Sequence, residues 1–228
     1  MTLKTGFHGN PHVGLYGFAF GTKCVIGERL SPALTQAVTE ALQCTLIEST
    51  VAGTPMPGVF LCGNARAVLV PNIAFEQEVA VLRAAGFPVK RFTTMHTCLG
   101  NNIIANEHGA LVSPFFSDEE LAEIASLLKV PVKRIEIAGT QTPGACIVLH
   151  GDAGVIHRDA AQHEIDMVKS TLKLSSLERA SVNLGSPYLH AGILNSEGGL
   201  VVGDLSGGPE IVHLENALNY VPEGNANG

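Results

Sequence analysis

The amino-acid sequence predicts an α/β protein in which five similar units close into a ring. Positions typical of one apolar helix face recur five times, and their first members lie 42 to 46 residues apart. The segment 50–58 resembles the segment 136–144, which follows 86 residues later and therefore about two steps further on. Each helix pattern also has a β-type stretch before it and another after it. We therefore expect each unit, of about 44 residues, to contain two strands, a helix and a third strand.

Five helices are predicted from the apolar spacing and from the residues at their starts. Leu121, Ile124 and Leu128 lie at i, i+3 and i+7 and form one apolar helix face. Ser117 and Asp159, each three residues before a Glu or Gln, are typical of helix N-caps. The predicted helices begin near Pro32, Ala74, Asp118, Ala160 and Pro209. In four units a glutamate directly precedes the apolar pattern, at Glu78, Glu120, Glu164 and Glu210.

Strands are predicted on both sides of the helices. The stretches before the helices are 15–20, 59–62, 102–105, 145–149 and 192–194, and those after them are 44–51, 89–94, 132–137 and 174–182. Such small units cannot bury their apolar faces alone, but in a ring each packs on two neighbours. We expect residues 1–221 to form one five-unit domain. Residues 222–228, rich in Gly and Asn, are predicted to be a flexible tail.

The composition restricts the class of protein. Fourteen Lys and Arg against 21 Asp and Glu give a net charge of −7, which excludes a general binder of polyanions. The chain is 46% hydrophobic and 15% charged, which excludes disorder. Its five cysteines are odd in number and form no C-x-x-C pair, which favours a reducing compartment. Since no apolar run approaches about 18 residues and no signal peptide is evident, we expect a soluble, cytoplasmic protein.

Three segments carry motifs whose order is distinctive. Residues 98–114 contain Leu-Gly-Asn-Asn, residues 63–71 run from Gly-Asn to a proline, and residues 199–218 contain Gly-Gly-Pro-Glu. In order and spacing they resemble the third, second and fifth units of the archaeal translation initiation factor 6 family, and the resemblance covers essentially the whole chain. It implies a pentein fold, an α/β ring of five units around a pseudo-fivefold axis.

The resemblance also implies a function. Members of that family bind the large ribosomal subunit on the surface that faces the small subunit, and so block joining of the two. They contact ribosomal protein uL14, lie near the sarcin–ricin loop of the RNA, and are released with the help of an elongation-factor-like GTPase. By resemblance we expect the same partners here, and a monomer that uses no cofactor.

Four residues are predicted to contact the ribosome. Leu99, Gly100 and Asn101 match a family turn that touches the ribosomal protein, and Gly14 matches a glycine in the first unit's equivalent turn. Since the repeat places all such turns at one rim of the ring, we expect them on a broad exposed face. An alternative stays open for each residue: Gly100 and Asn101 could serve only as turn formers, and Gly14 only as a backbone requirement.

Other charged clusters give weaker signals. The basic pairs 90–91 and 133–134 begin equivalent strands and are candidates for RNA contact. The chain has few cations overall, so protein contact is favoured over RNA contact as the main source of affinity. His150, His157 and His163 lie close in sequence, but their spacing matches no zinc site, so we expect no metal.

An enzyme acting on guanidino compounds is the alternative function, because the five-unit fold also hosts such hydrolases and transferases. Those enzymes need a cysteine nucleophile late in the chain, a histidine base and carboxylates that bind the cationic substrate. Here the last cysteine is Cys146, so neither His157 nor His190 has a nucleophile to activate. The sequence therefore favours a binding protein.

Overall fold

The computed structural model describes residues 1–220, and in that range it contains five long helices and five three-stranded sheets. The long helices are α1 (Pro32–Leu42), α2 (Glu76–Ala84), α3 (Asp118–Leu128), α4 (Gln162–Leu172) and α5 (Gly208–Ala217). The predicted starts of α1 and α3 are confirmed, and the other three lie within two residues of the prediction. The expected tail, 222–228, lies outside the described residues. No helix in the described part is long and apolar enough to cross a membrane.

The sheets repeat one topology. Their strands are β1 (Thr2–Thr5), β2 (Gly17–Phe20), β3 (Lys23–Ile26), β4 (Thr45–Glu48), β5 (Cys62–Asn64), β6 (Ala67–Pro71), β7 (Val89–Phe92), β8 (Ile103–Ala105), β9 (Ala110–Val112), β10 (Val132–Arg134), β11 (Ile147–His150), β12 (Ala153–His157), β13 (Ser176–Ala180), β14 (Ile193–Asn195) and β15 (Leu200–Gly203). In each unit the first strand pairs antiparallel with the second, and the second pairs parallel with the third. The middle strand is the most deeply buried, because the long helix covers it.

The fifth sheet corrects the expected order of strands. The sequence predicts that every unit supplies its own third strand, but here β1 at the start of the chain pairs parallel with β15, from Thr2 opposite Leu200 to Thr5 opposite Gly203. The first and the last strand of the described residues thus share one sheet. This arrangement closes the ring and gives β15 a partner on both sides.

A short helical segment, which the sequence does not predict, precedes the first strand of each unit. These five short helices are Val13–Tyr16, a 3-10 turn, and Pro57–Phe60, Leu99–Asn102, Pro143–Cys146 and Leu189–Gly192. Four residues are too few to show helical periodicity, so they read as part of the following strand. The Leu-Gly-Asn motif is therefore the start of a short helix rather than a turn.

The core is shared between neighbouring units. Ile124 and Leu128 of α3 are fully buried, as their spacing predicts. The cluster around α2 includes Val25 from the first unit, and the cluster around α4 includes Leu111 from the third. Because each cluster draws on two units, the units stabilise one another around the ring.

The strand directions define two faces of the ring. The short helices, the loops between second strands and long helices, and the ends of third strands lie at the same end of the sheets, which we name the short-helix face. The hairpins between first and second strands lie at the other end, which we name the hairpin face. This follows because the first strand is antiparallel to the second strand, and the third strand is parallel to the second.

Candidate functional site

The five short helices pack against one another in a closed circle around the axis. Four of them have a glycine at their second position: Gly14, Gly58, Gly100 and Gly144. A β-carbon on Gly144 would overlap the carbonyl oxygen of Gly100, and one on Gly100 would overlap that of Gly58, so each helix lies directly against the backbone of the one before it. Only glycine allows so close an approach.

The four predicted site residues differ in how far the structure exposes them. Leu99 has no exposed surface, and Gly14 and Gly100 are buried in the circle of short helices. The expectation that the whole motif is exposed is thus wrong for these three, because their side-chain positions are taken up by packing between units. Asn101 is half-buried, and no residue in 1–220 hydrogen-bonds its side chain; its backbone N–H donates to the Cys98 carbonyl at 3.1 Å. Contact of the four with a ribosome stays a prediction.

His190 occupies the glycine position in the fifth short helix and borders a central cavity of about 270 Å³. The first strands form the walls of this cavity, through residues 17–21, 61–63, 103–105, 147–151 and 193–197. Burial lowers the pKa of His190 to about 4, so the imidazole is neutral at pH 7. The cavity therefore ends at a neutral histidine beneath the short helices and opens toward the hairpin face.

The lining of this cavity is poorly suited to guanidino chemistry. Among the described residues it includes one carboxylate, Glu197, which is exposed near the hairpin face, and one thiol, Cys62. Burial raises the pKa of Cys62, which keeps it protonated and unreactive. Within residues 1–220, no three His, Cys, Asp or Glu side chains come together as metal ligands.

The short-helix face carries most of the strongly exposed apolar side chains of the described chain. These side chains lie on the loops of the short-helix face: Ile73, Phe75, Met95, Phe115, Leu184, Tyr188 and Leu205. The remaining ones are Met1, Val81, Met167 and Val212, at the N-terminus or on the long helices. Exposed apolar surface gathered on one face makes that face the candidate site of interaction. Sequence reasoning missed it, although an apolar residue just before a helix start, as at Phe75, was a usable signal.

Buried or half-buried carboxylates hold the loops of this face in place. Glu78 accepts hydrogen bonds from the N–H of Phe75 at its own helix start, and from Ala52, Gly53 and the Thr50 hydroxyl of the preceding unit, all at 2.7 to 2.8 Å. Burial acts to raise the pKa of Glu78, but these hydrogen bonds together hold it below its ordinary value. Glu120, Glu164 and Glu210 make equivalent bonds in their units.

In each of the two predicted basic pairs, the arginine and the lysine have different surroundings in the structure. Arg91 donates to the carbonyl oxygens of Asn72 and Ala74 and pairs with Glu76 at 2.7 Å. Arg134 makes the equivalent contacts with the Phe116 carbonyl and Asp118 in the next unit. Lys90 and Lys133 are exposed. The arginines therefore fix loops of the protein itself, which leaves only the lysine of each pair for a contact with RNA.

The sequence matches one protein family along nearly its whole described length. A model described as the eIF-6 family matches residues 2–217. Translation initiation factor 6 of Pyrococcus abyssi is 31% identical over 224 residues, which cover 96% of this chain and 98% of the relative. The protein of that name from Thermococcus gammatolerans is 34% identical over 224 residues, with the same coverage.

A solved structure confirms the predicted pentein fold. The chain is similar to DDAH from Pseudomonas aeruginosa in complex with citrulline, with a TM-score of 0.53 over 73% of this chain and 68% of that one. The two sequences are 9% identical, so this likeness extends to the fold alone. The family match and the archaeal relatives carry the identification: the chain belongs to the eIF-6 family, the family of translation initiation factor 6.

Proposed function

We propose that this protein binds the large ribosomal subunit through its short-helix face and prevents the small subunit from joining. The observation that carries the proposal is the gathering of exposed apolar side chains on that face, in a chain that belongs to a family of translation initiation factors. A broad face of this kind fits docking onto another macromolecule better than binding a small substrate. The protein would act in the cytoplasm, where ribosomes assemble and initiate.

Asn101 is the residue of the motif best placed for a direct contact. Its amide can donate and accept at the same time, and residues 1–220 leave both functions open. Gly14, Leu99 and Gly100 would contribute indirectly, because they set the position of the short helices. The sequence resemblance supports uL14 and the region of the sarcin–ricin loop as the partners, and an elongation-factor-like GTPase as the agent of release.

The guanidino-enzyme alternative has less support. The last cysteine, Cys146, is buried, and burial raises its pKa to about 12, with the negative charge of Glu164 adding to the shift. Such a thiol is a poor nucleophile. The named relatives are translation initiation factors, and the likeness to an enzyme is one of fold.

Sedimentation with purified archaeal ribosomal subunits tests the proposal. We expect the protein to pellet with large subunits and not with small subunits. Large subunits saturated with the protein should then fail to form joined ribosomes when small subunits are added. Equal pelleting with both subunits, or normal joining at saturation, would contradict the proposed function.

Replacing Asn101→Ala tests the predicted contact. Loss of an interfacial amide costs about 1–3 kcal/mol when its partner is left buried and unsatisfied, which weakens binding about 5- to 150-fold. The backbone of Asn101 is helical, so the free energy of unfolding should change by no more than about 0.5 kcal/mol. His108→Ala, at an exposed residue of the hairpin face, is the control and should bind like the wild type. Unchanged affinity of Asn101→Ala at equal stability would remove Asn101 from the interface.

A further inference from the structure

A shallow pocket of about 290 Å³ lies between the fourth and fifth units, beside the start of α5. Two arginines line it, Arg158 from the loop after β12 and Arg179 from β13. Its other lining residues are Ala180, Ser181, Pro209, Glu210 and His213. Both arginines are exposed, so a charged ligand can reach them from solvent. Neither residue has a part in the contact proposed for Asn101.

Arg179 has an equivalent in the second unit and another in the third. Arg91, Arg134 and Arg179 occupy the same register position of their third strands, each opposite the corresponding residue of the middle strand. In the second and third units the first residue of the long helix is acidic and pairs with this arginine. The pairs are Arg91 with Glu76 and Arg134 with Asp118, both at 2.7 Å. The charge of each of these two arginines is therefore balanced within its own unit.

The fourth unit keeps the arginine but lacks its acidic partner. α4 begins with Gln162, whose side-chain amide donates to Asp166 one turn further along the helix, at 3.0 Å. Arg179 retains only the bond that holds the loop, from its Nε to the Ala160 carbonyl at 2.7 Å. Within residues 1–220, its terminal nitrogens Nη1 and Nη2 have no hydrogen-bond or ion-pair partner. A guanidinium with both terminal nitrogens open fits two oxygens of one anion.

Arg158 adds a second cation to the pocket. Its Nη1 donates to the Gly185 carbonyl at 2.7 Å, which fixes the guanidinium against a turn of the fifth unit. The residues at the same position of the second and third units, Asn72 and Pro114, carry no charge. The fourth unit thus has one cation more and one acid less at this place than the second and third units have.

The carboxylates around the pocket are engaged elsewhere or exposed to solvent. Asp159 lies 3.5 Å from Nε of Arg158, but its side chain is 66% exposed, so solvent screens this ion pair. Glu178 lies 3.7 Å from Nδ1 of His213. Glu210 accepts hydrogen bonds from the Ser181 hydroxyl and from the N–H groups of Leu184, Gly185 and Gly207. The pocket therefore keeps one guanidinium with no carboxylate of the described chain at ion-pair distance.

We infer that Arg158 and Arg179 together hold a phosphate group in this pocket. A phosphate accepts hydrogen bonds from two guanidinium groups at once, whereas the carboxylates of the second and third units each satisfy a single arginine. Because the pocket is shallow and open, the phosphate can remain attached to a larger molecule. Two sources share this chemistry, the backbone of an RNA strand and a phosphorylated small molecule. The inference does not depend on the proposed function, since it concerns the isolated protein.

The test restores the missing carboxylate. Gln162→Glu gives α4 the acidic first residue of α2 and α3, so we expect the new carboxylate to pair with Arg179 and exclude phosphate. Gln77→Glu makes the same change in the first turn of α2, where Arg91 is already paired, and is the control of equal charge. Both positions are exposed and an acidic residue favours a helix start, so both variants should fold.

Binding is measured on the full chain by NMR, from the backbone amide shifts of Arg158, Arg179 and Ser181. The probes are inorganic phosphate and adenosine monophosphate, at an ionic strength held constant with chloride. A short labelled single-stranded RNA is titrated in parallel by fluorescence anisotropy. We expect saturable shifts at these positions in the wild type and in Gln77→Glu. Gln162→Glu and Arg179→Gln should bind at least about fivefold more weakly.

The two sources of phosphate give different results. RNA bound more tightly than both small probes, with the loss in Gln162→Glu, would assign the site to a nucleic-acid backbone. Adenosine monophosphate bound at least as tightly as RNA, with the same loss, would assign it to a phosphorylated small molecule, and either result supports the inference. Absence of saturable shifts at the pocket in the wild type, or equal binding by Gln162→Glu and Gln77→Glu, would overturn it. Pelleting with large subunits tests the proposed function separately.

Discussion

Two asparagines, one in the second unit and one in the third, lie at opposite faces of the ring and differ in what they bind. At the hairpin face, the Asn64 side chain donates to the carbonyls of Asn106 and Leu128, at 3.1 and 3.0 Å, and is 5% exposed. At the short-helix face, the Asn101 side chain bonds to nothing in residues 1–220 and is half-buried. Leu128 is the last residue of α3, whose terminal carbonyls have no partner within the helix. Asn64 thus stabilises a neighbouring unit, whereas Asn101 is available to another molecule.

The same division holds around the ring. Other hairpin-face side chains bind the carbonyl at or just after the end of a neighbouring long helix: Asn106 binds that of Leu172, His150 that of Leu218, and Ser196 that of Leu42. At the short-helix face, carboxylates such as Glu78 hold the loops from within, and apolar side chains remain outside. Polar side chains thus join units at both faces, and exposed apolar side chains distinguish the short-helix face, which we propose a partner covers.

The largest effect we expect is on stability, from the circle of short helices. In Gly100→Ala the new methyl group would overlap the Gly58 carbonyl oxygen and lie 2.8 Å from that of Leu61. We expect a loss of about 3 kcal/mol in the free energy of unfolding, measured by urea denaturation. Gly208→Ala is the control, because nothing lies within 4 Å of that position and alanine favours the helix. A Gly100→Ala protein as stable as the wild type would show that this glycine is not required for packing between the short helices.

The hairpin face should give a smaller loss of stability and no loss of binding. Asn64→Ala removes two donated hydrogen bonds, and it also removes the two that Asn64 accepts from Arg66 and Ala67. We expect about 2–3 kcal/mol of destabilisation, because buried carbonyls lose their partners. Well below its melting temperature, the variant should still pellet with large subunits like the wild type. Weakened binding by folded Asn64→Ala would end the division of roles between the two faces.

Much of the fold could be predicted because its signals are local. The i, i+3, i+7 spacing of apolar residues, as in Leu121, Ile124 and Leu128, follows from helix geometry. Because this pattern recurs five times, it predicts all five long helices. The sequence places the start of α4 two residues too early, because Asp159 resembles an N-cap. The cap is Ala161, whose N–H donates a hydrogen bond to the Glu164 carboxylate. The glutamate at the third position of the helix is a better indicator of the helix start than the polar residue upstream of the helix.

What could not be predicted depends on contacts between distant parts of the chain. The pairing of β1 with β15 joins the two ends of the described chain, and no short segment encodes it. The burial of Leu99 and Gly100 depends on the neighbouring short helices, so a motif match could identify these residues but could not show that they are buried. The exposure of Met95 is likewise a property of the assembled ring. Asn101 is the residue of the motif that the assembled ring leaves partly exposed, and its contact with the ribosome stays a prediction.

Amide hydrogen exchange of the protein, alone and bound to the large subunit, tests the central claim most directly, because it compares the two faces in one experiment. The short-helix face is represented by residues 93–98 and 183–188, and the hairpin face by residues 106–109 and 195–198. We expect binding to slow exchange in at least the first of the short-helix segments and to leave both hairpin segments unchanged. Protection confined to the hairpin segments would contradict the account and assign the interface to the opposite face of the ring.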